Sequence, residues 1–155
     1  MPVFEHSDRL PHPVAVVFDF FRRPANIVAV SPDWLRLELL EAPAVVEVGS
    51  LIHVRTRRWG LARVIVTEVT ALENERRIVE RQREGPFRAW EHVREFTACD
   101  EGCEVRERID VQTPGGMLGL ILTPASVQQE LERAYRERRP RLLAALAQSA
   151  PGESG

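Results

Sequence analysis

Between residues 34 and 113 the chain alternates apolar and polar positions with a period of two, and the breaks inside that stretch are too short for crossovers. Leu35, Leu37 and Leu39, for example, alternate with Arg36 and Glu38. The pattern predicts six strands, over roughly 34 to 42, 50 to 58, 61 to 72, 76 to 84, 87 to 98 and 103 to 112. Parallel neighbours would need connections of about a dozen residues or more, so successive strands must run antiparallel. Gly49, Gly60, Asn74, Gly85-Pro86 and Gly102 supply the turns.

The flanks read differently. Val3 to Arg9 alternates as one more strand, and Pro11-His12-Pro13 breaks it, leaving Pro13 at the first position of a short helix. Val14, Val17, Phe18 and Phe21 form one apolar face of that helix, and Pro24 ends it. A second short helix is expected over residues 24 to 31, closed by Ser31-Pro32. After Thr113-Pro114-Gly115-Gly116 the apolar run Met117 to Leu122 turns helical, and Thr123 caps a long helix that Pro124 begins. Val127, Leu131, Ala134, Tyr135, Arg138, Leu142 and Leu146 make a stripe able to lie across a sheet. Pro140 should kink that helix, and residues 149–155 should fray. The expectation is one α+β domain over residues 1–148: a seven-stranded antiparallel sheet, two short helices after its first strand, and a long C-terminal helix.

Several functions are excluded by what the chain carries. A formal net charge of −2 gives no general field for nucleic acid. All 21 basic residues are arginine, which removes lysine Schiff-base chemistry. Cys99 and Cys103 flank Asp100-Glu101-Gly102 without the further ligands of a zinc site, and Gly115-Gly116 lacks the spacing of a phosphate loop. No metal or cofactor is therefore expected. The N-terminal residues lack a basic segment followed by an apolar run, and no apolar stretch approaches the ~20 residues of a membrane span, so the expected location is cytoplasmic.

Strand parity assigns the faces. Trp90 and Phe96 should point to the core, and His92 and Arg94 share their parity. In the next strand Glu107 falls among Val105, Ile109 and Val111, so it too should point inward. A turn from Cys99 to Gly102 would set Ala98 opposite Cys103 and argues against a disulfide between the two cysteines. Ile78, Glu80 and Gln82 form the inner set of the preceding strand, with Val79 on the face of Arg77, Arg81 and Arg83. Ile52 and Val54 should face inward while His53 shares an outer row with Arg55 and Arg57. His6 and His12 read as surface residues, and Trp34 and Trp59 as packing residues. Phe18, Phe21, Met117, Leu118, Leu122 and Leu131 offer apolar walls, and Pro114 to Gly119 a mobile connection near the mouth.

The stretch Gly85-Pro86-Phe87-Arg88-Ala89-Trp90-Glu91-His92 is similar to the Gly-Pro-Phe-x-x-Trp-x-His segment of many bacterial members of the START-like superfamily, which includes polyketide cyclase, lipid-transfer and Bet v 1-type proteins. The likeness in element order extends over about residues 3 to 147. It implies a helix-grip fold in which sheet and long helix enclose a cavity. Some relatives have a second histidine where this chain has Arg94, and an aspartate where it has Glu107.

These expectations converge on a cavity for a hydrophobic or amphipathic small molecule of lipid-like, isoprenoid or aromatic type, bound or transferred. Glu80, Gln82, Trp90, His92, Arg94, Phe96, Glu107, Ile109, Leu118, Leu122 and Leu131 are the candidate ligand-binding residues. Burial of a charged group requires a partner, so Arg94 is expected to pair with Glu107 or Glu80, and His92 to donate to a neighbour. Such a network and a set of ligand anchors are compatible roles. A second reading is an aromatase/cyclase-like enzyme in which His92 or Arg94 polarises a carbonyl and Glu107 or Glu80 assists proton transfer. A third is an interaction module docking through Arg133, Arg136, Arg138, Arg139 and Arg141. The partner class is thus a small molecule, and oligomeric state is left open.

Overall fold

Residues 3–58 and 61–149 are described by a computed structural model, in which the period-two pattern becomes one seven-stranded antiparallel sheet. The strands are β1 (Val3–Leu10), β2 (Leu37–Glu41), β3 (Leu51–Arg58), β4 (Leu61–Glu73), β5 (Arg77–Glu84), β6 (Ala89–Cys99) and β7 (Gly102–Gln112). Their order across the sheet is β1-β7-β6-β5-β4-β3-β2. β1 and β2 are therefore the two edges, and the chain travels between them through α1 (Val14–Phe21) and α2 (Pro24–Val30). α3 (Leu118–Ile121) and α4 (Pro124–Ser149) follow the last strand.

The helix starts follow local chemistry. Pro13 precedes α1 rather than opening it: its ψ of 150° is extended, and its carbonyl accepts from the amides of Val16 and Val17. Pro24 is the proline that takes a first-turn helical position, where its missing N–H costs nothing. At α4, Ser126 N–H donates to Thr123 Oγ1 at 3.1 Å and Thr123 N–H to Ser126 Oγ at 3.0 Å, a reciprocal cap. α4 continues as helix through Pro140.

Three sequence expectations change here. The strand expected from residue 34 begins only at Leu37, because Asp33–Leu35 form a 3-10 turn and Arg36 adopts a left-handed conformation. That turn is held beneath α4: Trp34 Nε1 donates to Glu137 at 2.8 Å, and Arg133 lies 4.2 Å over the indole. Val79 is buried although it lies on the arginine-bearing face of β5. Met117, which immediately precedes the four-residue α3, is 85% exposed and forms no wall. Ile52 is buried and His53 half-buried, 3.9 Å from Glu41. Trp59, Gly60 and residues 150–155 lie outside the described residues.

The β6–β7 turn keeps the expected register, with Ala98 opposite Cys103 and Cys99 opposite Gly102, and both cysteines are free. Gly102 sits at φ +142°, and a Cβ there would come within 2.7 Å of backbone atoms of Leu10 and His12. Gly102→Ala is therefore expected to lower stability by about 3 kcal/mol in urea unfolding, through strain and displacement of the end of β1.

The inner core is divided. Phe18, Phe21, Ile78, Phe96, Leu142 and Leu146 belong to one apolar cluster. Phe4, Ile109, Val111, Leu122, Val127 and Tyr135 belong to another. Four elements cross from one cluster to the other, and each carries charge or a titratable ring at the crossing: Asp8 on β1, His92 and Arg94 on β6, Glu107 on β7, and Arg138 on α4. A polar belt thus separates two apolar regions.

Candidate functional site

Glu107 is the centre of the belt, and parity puts it there. It lies on the inner face of β7 with Val105 and Ile109, and is 1% exposed. In the paired register Glu107 stands opposite Arg94 on β6 and opposite His6 on β1. Its Oε1 accepts from His92 Nε2 at 2.9 Å, Arg94 Nε at 3.0 Å and the Tyr135 hydroxyl at 3.2 Å. Its Oε2 accepts from Arg138 Nη2. Arg94 also reaches Glu80 through Nη1 at 3.2 Å, so both acids offered to it by the sequence are engaged. Arg138 bridges onward to Asp8 at 3.0 Å, and Arg139 meets the other oxygen of Asp8 at 2.8 Å.

The electrostatics follow from burial and pairing. Burial alone would raise the Glu107 carboxyl, but the Arg138 charge, the His92 hydrogen bond and the Arg94 charge hold it well below the ordinary carboxylate range. Burial, aided by Arg94, lowers His92 against the pull of Glu107, which leaves the ring neutral. A neutral ring whose Nε2 meets an ionised carboxylate carries its proton on that nitrogen, so Nδ1 is the acceptor. Burial and Glu107 push Tyr135 upward, so its hydroxyl remains protonated. Asp8 would likewise be raised by burial, yet the His6 hydrogen bond and the Arg138 charge lower it from 3.8 to about 2.

These directions set an acid limit. Asp8 and Glu107 have folded values below their unfolded ones, so their stabilisation is complete above about pH 4 to 5 and is lost as pH falls toward the folded values. For Asp8 the loss amounts to about 2 kcal/mol by pH 2. His92 acts in the same direction from near 6.5 downward, since its folded form resists protonation. Chemical denaturation between pH 7 and pH 2 should show a continuous fall in stability, and a flat profile would contradict the charged form of the belt.

Beside the belt lies a cavity of about 310 Å³. One side is aromatic and aliphatic, with Phe87, Trp90, Ile109, Leu122 and Leu131. Ile27, Leu35, Leu37 and Ile65 close the side toward β2 and α2. His92, Arg94, Tyr135 and Arg138 provide a polar end, and Glu130 also reaches the lining. Ser31 and Thr56 lie on it as well, but their hydroxyls donate to the carbonyls of Ile27 and Leu35, both at 2.8 Å.

Of the candidate residues, Trp90, His92, Arg94, Ile109, Leu122 and Leu131 are on the lining. Glu80, Gln82, Phe96, Glu107 and Leu118 are not. Glu80 and Glu107 stand behind Arg94 as its partners. Gln82 turns to the Phe87 carbonyl at 2.7 Å. Phe96 packs edge-on against Phe18 and Phe21 in the first cluster, and Leu118 packs on the second. Phe18 and Phe21, proposed as walls, are also core.

Asp8, Tyr135 and Arg138 were absent from the candidate set. Their signal was present, since Asp8 shares parity with the buried Phe4 and Leu10, and Tyr135 and Arg138 sit in the inward stripe of α4. His6 is half-buried rather than a plain surface residue, 3.0 Å from Asp8. Of the arginines proposed for docking, Arg138 is buried, Arg139 meets Asp8, and Arg141 meets Asp33 and the Ser31 carbonyl, while Arg133 and Arg136 are exposed. No described helix is long and apolar enough to cross a membrane.

Comparisons place this arrangement among known proteins. A family model described as polyketide cyclase / dehydrase and lipid transport matches residues 10–135. A protein from Thermus thermophilus superposes with a TM-score of 0.69 at 20% identity, over 93% of this chain and 99% of that one. Ara h 8.0201 superposes at 0.62 and 14% identity, over 92% and 97% of the two chains. The di-domain ARO/CYC StfQ of the steffimycin biosynthetic pathway superposes at 0.68 and 17% identity, over 99% of this chain and 52% of that chain. At such identities the likeness is one of fold. No match was found among curated protein sequences.

Proposed function

Because the chain belongs to the polyketide cyclase / dehydrase and lipid transport family, we propose that its cavity takes up a hydrophobic or amphipathic small molecule, of lipid-like, isoprenoid or aromatic type. The carrying observation is the lining itself: a volume of about 310 Å³, apolar over most of its wall, with polar groups gathered at one end. Apolar ligand surface leaving water would drive binding at ~25 cal/mol per Å², and the polar end would set orientation.

Native mass spectrometry of freshly purified protein, followed by identification of released molecules, tests this reading directly. Leu131→Trp fills the cavity from α4 without touching the belt, and is expected to weaken binding of an apolar fluorescent probe at least ~tenfold while leaving the fold intact. Undiminished probe affinity in that variant would move the ligand elsewhere.

A cyclase-like reading draws on one observation, the neutral His92 beside Arg94 on the lining. Glu107 is unsuited to the base role, because both its oxygens are occupied and it lies off the cavity. A poly-β-ketone returned unchanged by the protein supports binding alone. Product formation that depends on His92 supports ring closure.

A further inference from the structure

The arginines at the polar end look at first like a carboxylate receptor, but their charge is already matched. Three acids, Asp8, Glu80 and Glu107, are hydrogen-bonded to three guanidiniums, those of Arg94, Arg138 and Arg139. His92 adds no charge. The one further charged side chain among the described residues of the lining is Glu130, itself an acid.

What the arginines retain is donor capacity. Arg94 directs Nε to Glu107 and Nη1 to Glu80, and Arg138 makes both of its bonds through Nη2. Among the described residues no hydrogen bond uses Arg94 Nη2 or Arg138 Nη1, and neither nitrogen is a buried orphan as Arg138 Nε is. Both residues line the cavity.

We propose that the cavity selects a neutral carbonyl oxygen on an apolar skeleton, as in a ketone, aldehyde or ester, and discriminates against the carboxylate of the same skeleton; this rests on the small-molecule reading above. A carbonyl accepts from a guanidinium N–H and brings no charge. A carboxylate would enter as a fourth anion facing three cations, and would lose its hydration without a counter-charge.

The test uses three probes sharing one ring system, 2-acetylnaphthalene, 2-naphthoate and 2-ethylnaphthalene, titrated calorimetrically into the intact protein near neutral pH. The ketone is expected to bind at least ~tenfold tighter than the carboxylate, with the hydrocarbon also binding. Glu80→Gln keeps the shape beside Arg94 but leaves one guanidinium unmatched, so the ketone-to-carboxylate ratio should fall at least ~tenfold. Naphthoate binding as tightly as the ketone in the unmodified protein overturns the proposal, as does a ratio unmoved by Glu80→Gln. In either case hydrocarbon binding leaves the small-molecule reading standing. Failure of all three probes to bind overturns both.

Discussion

Replacement of Glu107 by alanine is expected to lower the free energy of unfolding by about 3 to 5 kcal/mol, seen as a reduced urea midpoint with an unchanged slope. Glu107 receives His92, Arg94, Tyr135 and Arg138 at once, and its side chain is wholly buried. Its removal leaves two arginines with one acid fewer between them in a medium that cannot hydrate them. Glu107→Gln should cost nearly as much, since the amide keeps the volume but loses the charge and turns N–H groups toward a guanidinium. The combined change Glu107→Leu with Arg138→Met should cost less than Glu107→Ala alone. It removes one charge of each sign, and leaves Arg94 with Glu80 and Asp8 with Arg139. A loss below about 1 kcal/mol in Glu107→Ala would show that the belt's charges are compensated elsewhere.

Phe21→Ala should be as damaging for a different reason, at about 3 to 5 kcal/mol. Phe21 is 1% exposed on α1 and meets Phe96 at 5.7 Å between ring centroids. Both belt arginines also lie over its ring, with Arg94 and Arg138 each 5.6 Å from the centroid. Alanine would open a void and remove the surface on which two guanidiniums rest. Phe21→Leu refills much of that volume and should recover about half of the loss, the remainder reporting the cation–π contribution. Equal losses in the two variants would assign the whole effect to the ring.

Strand periodicity carried much of this structure in readable form. The parity of Trp90, His92, Arg94 and Phe96 against Val105, Glu107 and Ile109 puts them on one face, and the Ala98–Cys103 pairing follows from counting around the turn. Parity names a face, however, and not the residues of other elements that meet it. Glu80 and Glu107 therefore read as equals of His92, although Arg94 stands between them and the cavity. Tyr135 and Arg138 fall in the inward stripe of α4, but a stripe does not say what it meets, and only the docking of α4 brings both side chains to Glu107. The late start of β2 was likewise tertiary, set by Trp34 tucking against α4 rather than by any local preference of Leu35.

The pairing of β1 with β7 carries a consequence for how the molecule is made. Leu10 faces Cys103 and Val3 faces Asp110, so β1 is synthesised about 100 residues before the strand it needs. At roughly 5 to 20 residues per second that is several seconds of waiting on the ribosome. The bond from Arg138 to Asp8 closes later still, across 130 residues. Until β7 emerges, β1 is a strand without its partner, its backbone groups open to any neighbour, including the same strand of an adjacent nascent chain.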